Sequence, residues 1–498
     1  MSALPDVKAR AQEALREVIA LRREIAGAGR ILYRRWRPRI ARSSAAPSAL
    51  NFAHYLALRR HDLRPLQRKL MGLGISSLGR LESRVLVSLD AVAIALAALA
   101  GDDTPPCRSP SESHFFRGEA LLSNRVGEIF GPPRHRRLGR IMVTLATEAA
   151  EDPALVRAYA EHGADVMRIN CAHDGSRDWT RMVANIRAAE EKVHRRLPIL
   201  MDIGGPKVRT AKVLTPPDRS KLGIDDLLLL APEIRPDFTE VPFQATCSEP
   251  DVLNAIRVGD EVSLDDGQLQ GAVIGEDQGG HIVRITRGKL AGVKLVSGKG
   301  LNFPTAELKL DPLTDKDRRD LDFIAAHADM VGYSYVQTAD HVVMLQAELA
   351  RRRDDWQRLG LVAKIETPRA VRNLPEIIVQ AAGNQPFAVM IARGDLAVEM
   401  GFERVAEMQE EILWLAEAAH VPVIWATQVL EDLVKTGLPS RGEMTDAAMA
   451  GRAECVMLNK GPNVVGAISV LDRVLHRMGE HQVKKTPTLR ALHSWPAA

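Results

Sequence analysis

The chain has 498 residues, of which 46% are hydrophobic and 26% charged. This is the balance of a globular protein, with a prior of about three domains at roughly 150 residues each. It excludes a disordered, collagenous or coiled-coil chain, and with aromatics at 4% the core must be filled by Val, Ile, Leu, Met and Ala. Sixty-seven basic against 63 acidic residues leave a formal charge of +4, too balanced to argue for nucleic acid.

Residues 1–102 read as a helical N-terminal module. Leu15, Val18 and Ile19 recur at helical spacing, as do Leu56, Leu58, Leu63, Leu66 and Leu70. The opening MSALPDVKARAQEALREVIALRRE is charged and lacks the apolar core of a signal peptide. The run AVAIALAALA at 91–100 is about half a membrane span and reads as a buried helix, so no membrane association is expected. Arg22, Arg23, Arg30, Arg34, Arg35, Arg37, Arg39 and Arg42 surround Tyr33 and Trp36, and LMGLGISSLGRLES at 70–83 faintly resembles a helix-hairpin-helix turn. A docking or oligomerisation role is preferred there over nucleic-acid binding, which is not expected. Residues 103–137, with Pro105, Pro106, Pro110, Pro132 and Pro133, read as a linker. Cys107, Cys171, Cys247 and Cys455 form no CxxC pair, so neither a zinc site nor a disulfide framework is indicated, and a reducing, cytoplasmic setting is expected.

From residue 138 the pattern becomes regular. Strand-like runs at 140–147, 164–170, 197–204, 329–336, 359–366, 387–394, 421–428 and 454–460 alternate with helical stretches. Eight β-then-α units read as a (β/α)8 barrel over 138–206 and 301–480, an α/β TIM barrel, with a doubly wound sheet as the structural alternative. Residues 207–300 break the rhythm with short β-type runs and the turn signal Asp265-Asp266-Gly267. They read as an inserted small β-barrel domain after the third strand, a lid over the barrel mouth. Residues 481–498 are a tail.

Active sites of such barrels form at the C-terminal strand ends. There the sequence places Arg168 and Asn170, Asp202, Ser334, Lys364 with Glu366, Gly394 with Asp395, Thr427, and Lys460. Lys-x-Glu at a strand end puts both side chains on one face. Glu366 and Asp395, on adjacent strands, could hold Mg²⁺, which takes one or two carboxylates and leaves room for substrate oxygens. Lys364 could stabilise a developing enolate or phosphoryl charge. Arg168 offers a fork for phosphate, and the Gly394-Asp395 backbone opens a helix able to bind a carboxylate.

Several ordered motifs carry a resemblance. MRINCAH resembles RLNFSH of the pyruvate kinase family, MDIGGPKVRT resembles LDTKGPEIRT, AKIET resembles AKIEN, and ARGDLAVE resembles ARGDLGVE. WATQVLEDL, PSRGEMTDAAMA, VSLDDG and KGLNFP are similar to further motifs of that family, and together they cover roughly residues 139–478. The resemblance implies phosphoryl transfer from phosphoenolpyruvate to ADP in glycolysis, giving pyruvate and ATP. It implies Mg²⁺, replaceable by Mn²⁺, held by Glu366 and Asp395. Lys364, Thr427 and Arg168 would be catalytic, and Arg168, Ser334, Lys364, Gly394, Asp395 and Thr427 would bind the substrate. Arg209 and Asn170 would face the nucleotide, and the enzyme would be a homo-oligomer. The alternative readings are a Mg-dependent enolpyruvate lyase or aldolase on the same barrel, or a non-catalytic regulatory paralogue.

The chain departs from the family pattern in four respects. The positions of the family's monovalent-cation ligands are Asn170, Ala172, Asp202 and Ile203 here, so two hydroxyl ligands are missing. Lys207 stands where the family motif has Glu, as in members that work without K⁺, and its ammonium is expected to replace that ion. The nucleotide side differs at residues 145–147 and 459–463, where Lys460 replaces a carboxylate-bearing segment. The family's C-terminal effector domain has no counterpart, so control through it is not expected.

Overall fold

The structure, a computed structural model, describes residues 3–487 except 103, 105, 106, 135, 136, 278 and 309. Pro105 and Pro106 of the expected linker, and most of the expected tail, lie outside the described residues.

The eight apolar runs become the parallel strands β1 (Arg140–Thr144), β2 (Val166–Asn170), β3 (Ile199–Asp202), β4 (Met330–Tyr333), β5 (Gly360–Ile365), β6 (Phe387–Ala392), β7 (Val423–Ala426) and β8 (Cys455–Leu458). They close into a barrel in chain order, with β8 pairing back onto β1. Nearly every strand residue is buried, because helices cover the outside and side chains fill the inside. Met142, Val166, Leu200, Met330, Met390 and Met457 are among the inward residues, and unbranched methionines adapt to this crowded interior.

The longer helices that precede the barrel are α1 (Ala3–Trp36), α2 (Ala46–Leu58), α3 (Val85–Ala100) and α4 (Arg117–Phe130). The last corrects the sequence reading, since the supposed linker at 103–137 contains a helix that is part of the barrel core. Leu122, Val126, Ile129 and Phe130 lie on one face of α4 and pack with the inward strand residues. The Gly131 carbonyl accepts from Arg140 at the start of β1, so α4 plugs the barrel end opposite to the one where the strands finish. The helical spacing was present in the sequence, but the flanking Pro and Ser residues masked it.

Helix α2 and the Trp36 end of α1 dock on the outer barrel helices α5 (Pro368–Ala382) and α7 (Phe402–Ala418), while α3 packs on α1 and α2. Between α5 and α7 in the chain lies the short helix α6 (Arg393–Met400). Trp36 stacks on Phe52 with ring centroids 5.7 Å apart and donates to Glu376 at 2.8 Å. Asn51 donates to the Ala418 carbonyl at 2.8 Å. Of the arginine run, Arg22 pairs with Asp90, Arg39 with Glu376 and Arg42 with Glu128, so part of it is structural. The span Glu82–Ala100 is long and apolar enough to cross a membrane, but half of it is buried within the molecule.

His420 is a buried seam residue between module and barrel. Its Nε2 donates to the Ser83 carbonyl at 2.9 Å and its Nδ1 accepts from the Ser48 hydroxyl at 2.8 Å. Burial, opposed by the Ser83 bond, lowers its pKa from 6.5 to about 4. A base whose folded pKa is depressed stabilises the fold above its unfolded pKa and loses that contribution as pH falls from about 6.5 to about 4. The expected cost over this window is about 3 kcal/mol. Urea titrations of wild type and His420→Asn between pH 7 and pH 4 check it: the variant should lack this part of the acid sensitivity.

Between β3 and β4 the chain leaves the barrel and forms a seven-stranded, mostly antiparallel sheet with its own core, including Leu228, Phe243, Val262 and Ile285. Asp265, Asp266 and Gly267 all have positive φ, of 52°, 53° and 86°. They make the tight turn expected from their sequence, and this turn reaches back to the barrel mouth.

Candidate active site

The ends of β2 to β7 bring the expected polar residues together. Arg168, 7% exposed, is locked before any ligand arrives: its Nε donates to Asp202 Oδ2 at 2.7 Å and its guanidinium to the Thr144 hydroxyl at 2.9 Å. Asp202 is fully buried, and its Oδ1 has no partner among the described residues. Gly332 on the neighbouring strand makes room for that oxygen, since a Cβ there would lie 1.9 Å from it.

Lys364 is the hub. Its Nζ lies 2.7 Å from Ser334 Oγ, 3.0 Å from Glu366 Oε1 and 4.0 Å from Asp202 Oδ2. Ser334 in turn donates to the Ile203 carbonyl at 2.7 Å, so the lysine head is held by a fixed hydroxyl. Glu366 is buried, and its Oε2 accepts the Tyr335 backbone N–H at 2.5 Å. Asp395, in the first turn of α6, receives on Oδ1 both the Lys207 ammonium at 2.8 Å and the Tyr335 hydroxyl at 3.2 Å. Its Oδ2 takes no hydrogen bond among the described residues.

The two carboxylates sit in environments that drive their proton affinities apart. Burial raises Glu366 more than Lys364 lowers it. Burial also acts to raise Asp395, but the Lys207 charge and hydrogen bond, with Lys364, hold it below the usual range. Lys207 shows the converse: burial acts to lower it, while Asp395 and Asp266 outweigh that and raise it. Two hard carboxylates, Glu366 buried at a strand end and Asp395 half-buried in the turn after the next strand, one with a free oxygen, suit Mg²⁺ or Mn²⁺. Among the described residues no group of three or more His, Cys, Asp or Glu could hold a metal, so further oxygens would have to come from substrate and water.

Thr427 follows β7 with φ 65°, and Gln428 follows it with φ 53°. Non-glycine residues in this region store strain and persist when neighbours hold them. Arg393 does so: it donates to the Ala426 carbonyl at 3.0 Å and the Thr427 carbonyl at 2.6 Å, and pairs with Asp446. Thr427 Oγ1 accepts the Gly394 N–H at 2.7 Å. That N–H, expected to hold a substrate carboxylate, is therefore taken up by the threonine.

Asn170 and Arg209 stand apart from this cluster. Asn170 caps its own loop by accepting from the Ala172 N–H at 3.1 Å. Arg209 donates to the Gly298 carbonyl at 3.1 Å within the lid. Both lie on the side of His173, whose pKa is lowered by burial first and then by Lys460, with Arg209 and Arg168 adding to it. Lys460 and Arg209 thus bring positive charge to that side of the mouth, with Asp174 opposing them. Lys207 does not reach Asn170 or Asp202, where its charge was expected. It ties Asp395 to Asp266 Oδ1, 3.0 Å away on the lid turn, while Arg168 compensates Asp202. Tyr335 and His173 were not singled out from sequence, and Asp266 and Arg393 were noted there only as a turn signal and a strand-end residue. Asp266 and His173 lie inside recognised motifs, whereas nothing local marks Tyr335, whose φ of 56° turns its amide to one carboxylate and its phenol to the other.

Comparison with known proteins gives a consistent result. Residues 136–466 match the family described as pyruvate kinase, barrel domain. The chain is 31% identical over 352 residues to a pyruvate kinase of Methylorubrum extorquens, covering 69% of each chain. It is 30% identical over 368 residues to a pyruvate kinase of Agrobacterium vitis, covering 72% of this chain and 73% of that one. With a pyruvate kinase of Thermococcus litoralis it shares 31% over 333 residues, 66% of each.

Proposed function

Because the chain belongs to the pyruvate kinase family, we propose that it transfers the phosphoryl group of phosphoenolpyruvate to ADP, giving pyruvate and ATP, as a cytoplasmic, glycolytic homo-oligomer. The observation that carries this reading is the Lys364 hub: one ammonium held between Ser334 and Glu366, beside a guanidinium already locked in place. The transition state of phosphoryl transfer is mainly charge to be positioned and neutralised. A fixed cationic pair does this without reorganising at the moment of reaction.

Glu366 and Asp395 would hold the Mg²⁺. When bound, the ion supplies Lewis-acid neutralisation of the enolate and phosphoryl oxygens. Arg168 grips the phosphoryl group, and its bonds to Asp202 and Thr144 fix the direction of the fork. Lys364 places its charge at the bridging oxygen as the P–O bond breaks and the enolate forms. Thr427 accepts the Gly394 N–H, so its own hydroxyl proton is free to face the substrate, near the carbon that is protonated when enolpyruvate becomes pyruvate. Arg209 and Lys460, on the His173 side of the mouth, suit the ADP phosphates.

Lys207 supports K⁺-independent turnover, because its ammonium supplies a fixed positive charge at Asp395. Pyruvate release from phosphoenolpyruvate with Mg²⁺ and ADP is expected to agree within about twofold in K⁺ and in a tetramethylammonium salt. Lys207→Gln should lower kcat/KM by roughly 10²-fold, since Asp395 then faces Asp266 without a counter-charge. A strict K⁺ requirement in wild type would overturn the Lys207 assignment but leave the kinase. Pyruvate release without ADP would replace the kinase reading with a lyase or hydrolase.

A further inference from the structure

A cavity of about 680 Å³ opens beside the carboxylate pair, not over it. Its walls include both chain crossings between barrel and lid, Lys207-Val208 going out and residues 301–306 coming back, together with the first turns of α5. This volume is in the range of sites for small organic ligands. Nothing in the proposed reaction uses it.

The two arginines of its wall are only loosely held. Of the acidic residues, Asp311 is paired with Arg318 at 3.1 Å. Glu399 accepts from Asn302 at 2.7 Å, and burial raises its pKa. Glu307, largely exposed, reaches Arg369 only at 3.9 Å. Arg372, one helical turn on from Arg369, has no ion pair or hydrogen bond among the described residues. His341 Nδ1 accepts the Gln337 N–H at 3.3 Å, which leaves Nε2–H as a donor. Two loosely held guanidiniums and an imidazole N–H thus share this wall with apolar Phe303 and Leu308.

We infer that this cavity binds a small organic anion, a carboxylate or a phosphate ester, with its anionic head on Arg369 and Arg372 and its body against Phe303. Guanidiniums bind both kinds of head in the same forked geometry. Binding here is coupled to the lid, because the cavity is built from both lid crossings. It is also coupled to the carboxylates, because Lys207 and Tyr335 line the cavity and bond Asp395. The inference goes beyond the kinase reading and does not depend on it.

Calorimetric titration of the full chain with phenyl phosphate, benzoate and inorganic phosphate, in sodium salts without Mg²⁺, tests it. At least one organic probe should bind more tightly than inorganic phosphate, and which one binds tells phosphate ester from carboxylate. Binding should weaken roughly tenfold or more in Arg369→Gln/Arg372→Gln and in Arg372→Glu, with melting temperatures unchanged because both arginines lie outside the helix's buried face. It should persist in Lys364→Met. Bound probe should also slow amide exchange at residues 207–208 and 301–303. The inference is overturned if neither organic probe binds at roughly 10 mM, or if the arginine variants bind as wild type does. Loss of binding in Lys364→Met with retention in the arginine variants would overturn it too, since the probe would then sit at the substrate phosphate site.

Discussion

Lys364→Met is expected to lower pyruvate release by about 10³-fold or more while leaving the fold intact. Methionine keeps an unbranched stem and removes only the charge. Three groups lose their cation together: Ser334 Oγ, Glu366 Oε1 and, at 4.0 Å, Asp202. Glu366 is then a buried carboxyl whose remaining partner is the Tyr335 N–H. Burial already raises its pKa against the pull of Lys364, so without the lysine it shifts further towards the neutral acid. A neutral acid is a poor metal ligand. The variant should therefore show a raised Mg²⁺ requirement as well as a lower kcat, and steady-state rates across a Mg²⁺ series separate the two effects. Activity within tenfold of wild type, with an unchanged Mg²⁺ profile, would remove Lys364 from its assigned role.

Asp165→Ala is expected to give the large stability loss, about 3–5 kcal/mol. Asp165 lies just before β2, 1% exposed, and bonds Arg137 at 2.8 Å, Arg195 at 2.6 Å and the Ile141 N–H at 2.8 Å. The Arg137 side chain is equally buried. Removing the aspartate leaves that guanidinium with Asp472, at 2.8 Å, as its remaining carboxylate, and an under-compensated buried charge costs more than an ion pair gains. The cluster sits at the plugged end of the barrel, so kcat should be retained wherever the variant is folded. Urea midpoints measure the loss. A double variant, Asp165→Leu with Arg137→Met, should recover much of it, because removing both charges leaves no ion stranded.

Much of the site could be read from the chain before folding. Lys364 and Glu366 face the same way because strand side chains alternate, a property of three consecutive residues. Asp265-Asp266-Gly267 forms its tight turn because such residues tolerate positive φ. The eight apolar runs mark their own strands because each is buried on both faces. By contrast, α4 was read as linker, although Leu122, Val126 and Ile129 carry a helical period. Short range cannot tell a helix that plugs a barrel from an amphipathic stretch between prolines. Its apolar face has meaning only once the inward methionines of the strands are there to meet it.

What the sequence by itself determined is therefore the period of each element, the chemistry waiting at each strand end and the family those motifs indicate. Only the tertiary structure decided the partners. Lys207 and Asp395 are 188 positions apart, and Lys207 was expected to replace a monovalent cation near Asp202. Barrel closure places Arg168 on Asp202 instead, and the lid turn brings Asp266 over to share Lys207 with Asp395. Tyr335 likewise joins Glu366 and Asp395 through one left-handed residue whose role no neighbour in the chain reveals. Periodicity and turns arise from bonds and clashes within a few residues. Charge compensation in a buried site arises from whichever groups chain closure brings within about 4 Å, and that is settled by the whole fold at once.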